Sequence, residues 1–174
     1  DGTPSDYSVS PTSTTFVFDA TEFKLPFALP RDLGLQLAML SALMEYLKQP
    51  LDTDLPGLTM APGRNSTFRG IKDTTLIDST YNAHLISMTS MLQMMQSMHQ
   101  SHTWLVIGDM VEQGKSEADQ HSKLAHQIEK VDSEQIILVG RRTAKYTLPA
   151  LSATAQKRTV SFLDTREALE FIQN

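Results

Sequence analysis

The side chains best suited to bind or activate charged groups fall at a few turns of this 174-residue chain. Asp78 closes an apolar run at 74–78 and leads into Ser79-Thr80-Tyr81-Asn82. Gly108-Asp109-Met110 follows the run Trp104–Ile107, and Gly140-Arg141-Arg142-Thr143 follows Gln135–Val139. If those runs are parallel strands, their carboxyl ends line one edge of a sheet, which is where open α/β sheets bind ligands. Asp78, Asn82, Asp109 and Arg141 would then gather along that edge, with Gly63-Arg64 arriving at its entrance. Pattern alone gives an α/β domain with a polar edge and no particular ligand. Each residue also has a plainer role. Asp78 could cap the helix that follows, Gly108-Asp109 could form only a tight turn, and Arg64 could be a solvated charge.

The elements that must position these groups are legible from periodicity. Residues 1–13, rich in Ser, Thr, Pro, Gly and Asp, read as a flexible lead-in. Alternation at Phe16 and Phe18, then at Phe23, Leu25 and Phe27, predicts a β-hairpin. Leu33, Leu37, Leu40, Met44 and Leu47 recur at helical spacing, and Leu35, Ala38, Met39 and Leu43 widen the stripe. A helix over Asp32–Lys48, buried on most sides, is expected. Pro50 ends it, and the Pro- and Gly-rich residues 49–63 form a stiff linker. Beyond it, strands at 67–71, 74–78, 104–108, 135–140 and 159–162 alternate with helices at 84–100, 116–130, 144–155 and 165–172. Such alternation predicts an α/β, Rossmann-like domain over 64–174, with a mainly parallel sheet and flanking helices. Met88, Met91, Met95 and Met98 read as core.

Several function classes are excluded or disfavoured. A net charge of −5 and the absence of a basic patch argue against nucleic-acid binding. Without cysteine there is no disulfide or thiolate metal site. No apolar run is long enough to span a membrane, and the composition fits a cytoplasmic protein. The five histidines are not spaced as a ligand set, so no metal site is expected.

Three segments carry a family resemblance. Pro62-Gly63-Arg64, then Thr75–His84 with Ser87-Met88, then Val106–Gly114 with Glu117 and His121, are similar in order and spacing to the C-terminal domain of Mur ligases. Tyr81-Asn82-Ala83 and Gly108-Asp109-Met110 look most like the members that add D-alanyl-D-alanine to UDP-N-acetylmuramoyl-tripeptide. The resemblance implies ATP-dependent amide-bond formation through an acyl phosphate, with ATP and Mg2+ as cofactors. It makes 14–48 the hairpin-and-helix end of the central ATPase domain, 49–63 the linker and 64–174 the C-terminal domain. Arg64 would reach the nucleotide phosphates, and Asp78 would hold the ribose or orient the nucleotide. Tyr81, Asn82, Gly108, Asp109 and Met110 would line the dipeptide side of the cleft. No nucleophile or proton shuttle is implied within the chain.

The chain also departs from the family. It has no Gly-x-x-Gly-Lys-[Ser/Thr] loop to cradle phosphates. Arg31-Asp32 stand where the family's adenine-side His-Asn is expected, and are therefore the matching nucleotide-binding positions. Ser79 replaces a second Asp, and His84-Leu85 replace Asn-Pro. The expectation is a portion of a longer ligase, inactive alone and completed by N-terminal and central domains in cis or trans. A non-catalytic Mur-like interaction or regulatory module, and another amide ligase of the superfamily, are the alternatives.

Overall fold

The computed structural model describes residues 4–174, and its packing divides the chain into two compact units, one ending at Tyr81 and the other running from Asn82 to Asn174. The expected domain boundary at 63/64 thus lies inside the first unit.

In the first unit, β1 (Ser5–Ser10), β2 (Ser13–Phe18) and β3 (Thr21–Leu25) form an antiparallel sheet in the order β1-β2-β3. The expected hairpin is β2–β3. Its connection, Asp19-Ala20, has positive φ at both residues, as a type I′ hairpin turn requires. Phe16 and Phe23 face each other in register and stack at 4.8 Å. Residues 5–10 are a third strand, which corrects the lead-in expectation. Its Ser-rich sequence hides the alternation, but Val9 is buried and Tyr7 packs against the core. The lead-in's residues 1–3 lie outside the described residues. Thr14, also buried, accepts from Leu29 N–H at 2.8 Å and donates to the Phe27 carbonyl at 2.9 Å, tying the sheet to the segment entering the first helix.

That helix, α1 (Arg31–Tyr46), turns Leu33 and Leu37 onto the phenylalanine core. It is not buried on most sides: Leu35, Met39, Leu43 and Tyr46 form a second, exposed stripe. Leu51, Leu55 and Met60 pack the 49–63 segment against the same core. Next, β4 (Ser66–Arg69) and β5 (Thr75–Asp78) form a separate antiparallel pair. The strand bearing Asp78 is therefore not a member of the parallel sheet, and the shared-edge expectation for Asp78 does not hold. Pairing partners are set by contacts distant in sequence, which periodicity does not encode.

In the second unit, β6 (Trp104–Gly108), β7 (Gln135–Val139) and β8 (Thr159–Phe162) form a parallel sheet in that order. The helices α2 (Leu85–Met98), α3 (Glu117–Ile128), α4 (Ala153–Gln156) and α5 (Thr165–Gln173) accompany it. The central strand buries Ile136, Ile137 and Leu138 completely, whereas edge strand β6 buries Leu105 and Ile107 and exposes Trp104 and Val106. Of the methionine stripe, Met98 is buried, Met88 and Met95 pack on the core, and Met91 is only half-buried, while Met94, off the stripe, is fully buried. The helix expected at 144–155 begins at Arg141 as a helical run of mixed pitch to Ala150. It breaks at the extended Leu151, after Pro149, and Ser152 caps a fresh turn.

Candidate functional site

In the first unit the segment Gly63–Asn65 is held from several sides. Gly63 N–H meets Ser66 Oγ at 3.2 Å, Arg64 N–H donates to the Ala61 carbonyl at 3.0 Å, and Tyr81 N–H donates to the Gly63 carbonyl at 3.0 Å. Arg64 is exposed, and its guanidinium carbon lies 3.9 Å from the centroid of the Tyr81 ring. The two residues that sequence reasoning gave separate ligands are thus in contact. Asn65, which sequence reasoning passed over, is buried with a left-handed φ of 58°, and its amide donates to the Ala28 carbonyl. Its side-chain oxygen has no partner among the described residues. Asp78 is half-buried at the end of β5, and its carboxylate accepts the Thr80 N–H at 3.0 Å.

Arg31 and Asp32 open α1. Arg31 donates to the Pro4 carbonyl at 2.8 Å, while Asp32 sits in the first turn, where a negative charge complements the helix dipole. Beside them Tyr7 donates to the Leu29 carbonyl at 2.7 Å. Burial pushes the Tyr7 phenol up to about 12, with Arg31 opposing and Asp32 reinforcing the shift.

In the second unit Asp109 is committed to a helix head. Its carboxylate accepts the N–H of Thr143 at 2.8 Å and of Arg142 at 3.0 Å. Arg142 also donates through Nε to Glu117 at 2.5 Å, and this hydrogen bond, backed by the charge of Glu117, raises its pKa further. Met110 is fully buried, its side chain in the core, and is not open to a ligand as the expectation for the dipeptide side had it. Its N–H donates to Nε2 of buried His121 at 3.2 Å, and His121 Nδ1 donates to the Glu117 carbonyl at 2.8 Å. Gly108 is exposed, with open space where a side chain would stand. Asn82 accepts the Ala83 N–H at 2.8 Å and places Nδ2 3.2 Å from His84 Nε2. The other ring nitrogen of His84 lies 3.3 Å from Gln113. His84 and Gln113 thus join a network that sequence reasoning did not predict. Arg141 is exposed.

Gly114-Lys115-Ser116 at the head of α3 superficially suggests a phosphate loop, but five residues separate it from Gly108, where the general form Gly-x-x-x-x-Gly-Lys-[Ser/Thr] has four and the shorter form two. The Ser116 hydroxyl donates to the Gln113 carbonyl at 2.7 Å, and Glu117 and Asp119 occupy the first turn. An acidic helix head disfavours an anion. Among the described residues no group of three or more His, Cys, Asp or Glu is arranged to hold a metal ion, and no helix is long and apolar enough to cross a membrane.

Comparison with known proteins adds an independent line. The family described as Mur ligase, glutamate ligase domain, matches residues 63–174. The structure is similar to that of MurF from Acinetobacter baumannii, with a TM-score of 0.80 and 25% identity, covering 98% of this chain and 37% of that one. It shares its fold with MurF ligase from Thermotoga maritima in complex with ADP, with a TM-score of 0.79 and 19% identity over 97% of this chain and 39% of that one. UDP-N-acetylmuramate-alanine ligase MurC from Thermotoga maritima shares the fold too, at a TM-score of 0.72 and 14% identity, over 96% and 38% of the two chains. The chain spans less than two fifths of the length of these structures. No curated protein matches it.

Proposed function

This chain belongs to the Mur ligase family, and we propose that it serves as the C-terminal portion of an ATP-dependent ligase adding D-alanyl-D-alanine to UDP-N-acetylmuramoyl-tripeptide in the cytoplasm. The observation that carries the reading is Arg64, exposed at the start of the family match and held over Tyr81. The choice of acceptor is supported by Tyr81-Asn82-Ala83 and Gly108-Asp109-Met110, and by the likeness to a MurF at 25% identity.

In such a reaction the tripeptide carboxylate is activated with ATP as an acyl phosphate, which the dipeptide amine attacks to release phosphate. The residues of this chain bind and orient. Arg64 offers a fork of donors that suits terminal phosphate oxygens, and Asp78 is a carboxylate acceptor for a ribose hydroxyl. Tyr81, Asn82 and the exposed backbone at Gly108 would face the dipeptide side. Asp109 supports that loop by fixing the helix head beside it. Arg31 and Asp32 are proposed on the adenine side, although the guanidinium of Arg31 is already engaged by Pro4. That engagement is what favours the second reading, a non-catalytic Mur-like module.

Mg2+ and the loop that cradles the β- and γ-phosphates would be supplied by the remainder of the longer ligase, with Arg64 reaching the terminal phosphate from this chain, so the chain alone is expected not to turn over. Incubation with ATP, Mg2+, tripeptide precursor and D-alanyl-D-alanine tests this. ADP release by the chain alone would overturn the division of labour. Amide formation by the longer ligase that falls sharply in Arg64→Ala would support the ligase over the module.

A further inference from the structure

Tyr81 follows the strand that carries Asp78, and sequence reasoning set it against the incoming dipeptide, yet the side chain it touches is that of Arg64. The contact is built from the backbone outward. Tyr81 N–H donates to the Gly63 carbonyl at 3.0 Å, which brings the two segments together. Gly63 has a φ of 72°, and a Cβ there would lie 3.1 Å from Tyr81 N and 3.2 Å from Tyr81 Cβ. Conformation and space both favour glycine there. Next to Arg64, buried Asn65 anchors the chain to Ala28. Both members of the stack therefore start from fixed backbone.

A guanidinium carbon 3.9 Å from a ring centroid lies within reach of cation–π attraction. Arg64 forms no ion pair among the described residues, and Arg64 and Tyr81 are both exposed, so the held guanidinium stays open to solvent. A long side chain that is already oriented loses less rotamer freedom when it captures an anion.

We infer that Tyr81 is a positioning residue for Arg64: its ring holds the guanidinium as a pre-oriented arm for the terminal phosphate of a nucleoside triphosphate. The inference rests on the reading of Arg64 as a phosphate ligand. It moves Tyr81 from the dipeptide side of the reaction to the nucleotide side.

The test uses the chain itself with Tyr81→Phe, Tyr81→Leu, Arg64→Ala and Arg64→Lys. By NMR, the Arg64 δ-protons should be shifted upfield by the ring in the parent and in Tyr81→Phe, and revert in Tyr81→Leu. Unshifted δ-protons in the parent would overturn the stack whatever the nucleotide does. By calorimetry with a non-hydrolysable ATP analogue, Tyr81→Phe should bind like the parent. Tyr81→Leu should bind about 2- to 5-fold more weakly, the worth of an exposed cation–π contact, and Arg64→Ala more weakly still. If Arg64→Ala binds like the parent, the phosphate-ligand reading itself fails and the positioning role with it; if the parent chain shows no binding, the same comparison of variants is read on amide formation by the longer ligase, where parent-like Arg64→Ala overturns both. If Arg64→Ala weakens binding while Tyr81→Leu does not, the positioning role alone fails. Should Tyr81→Leu disturb folding, Arg64→Lys decides: it keeps the charge but lacks the planar fork, and parent-like affinity would overturn the role of the stack.

Discussion

The carboxylate of Asp109, at the end of β6, accepts the backbone N–H of Thr143 at 2.8 Å, at the head of the helical run that follows β7. One side chain thus joins the ends of two neighbouring parallel strands and satisfies helix-head donors that have no partner within the helix. Asp109→Ala should cost about 1–2 kcal/mol, the usual loss for a helix cap. Asp109→Asn, which keeps an acceptor, should cost less. Urea denaturation of the three proteins checks the order, and equal midpoints for Ala and parent would refute the capping role.

Gly140 makes that joint possible. Its φ is 124°, and an added Cβ would collide with the Asp109 carboxylate. Gly140→Ala should therefore destabilise by about 2 kcal/mol or more, from backbone strain and displacement of the cap together. In the double variant with Asp109→Ala the penalties should fall short of their sum, because the colliding group is gone. Strict additivity in melting experiments would show the collision to be relieved elsewhere.

His121 is a structural residue. It is fully buried, and its two ring nitrogens serve Met110 N–H and the Glu117 carbonyl, which fixes the proton on Nδ1. His121→Leu fills much of the same volume but strands the Met110 N–H, while the Glu117 carbonyl, at the start of α3, keeps its partner within the helix. The cost should be about 1–3 kcal/mol for the one group stranded away from water. A stability equal to the parent would mean that water replaces the ring.

The exposed stripe of α1 should make the chain associate with itself. Leu35, Met39, Leu43 and Tyr46 are 42, 67, 52 and 84% exposed and recur along one helical face. Contiguous apolar surface of this kind marks an interaction face or an aggregation liability. Sedimentation velocity should show concentration-dependent association that Met39→Lys with Leu43→Glu abolishes. A double variant sedimenting like the parent would place the contact elsewhere.

These residues also show how far the sequence could be read. Met88, Met95 and Met98 of α2 were legible from spacing, because one helical face meets one core. Strand β1 was hidden because it is mostly serine and aspartate, with Tyr7 and Val9 alone turned to the core. The outer stripe of α1 was read as core because apolar spacing says which residues share a face and not whether anything covers it. In the site, the turn at Gly108-Asp109 was visible, but the partner that makes Asp109 a cap lies 34 residues away. Asn65 gave no signal at all. Its burial and left-handed backbone come from the packing of 61–66 against 28, a contact that no local pattern announces.

Tyr7 supplies a pH-dependent signature for the first unit. Its hydroxyl donates to the Leu29 carbonyl, and burial raises its pKa from the ordinary 10.0 to about 12. A group whose pKa is higher folded than unfolded holds its proton more tightly in the native state. Between those values the unfolded chain has already released it, so native stability is fully present below pH 10 and is lost as pH rises through about 12. Tyr7→Phe removes the titrating group together with one hydrogen bond, which should cost about 1 kcal/mol near neutrality. In exchange, the alkaline loss of stability should be shallower than in the parent. Chemical denaturation at a series of pH values above neutrality measures both effects. Parallel pH profiles for the two proteins would mean that this phenol titrates no differently folded than unfolded, and that its bond to Leu29 contributes only near neutrality.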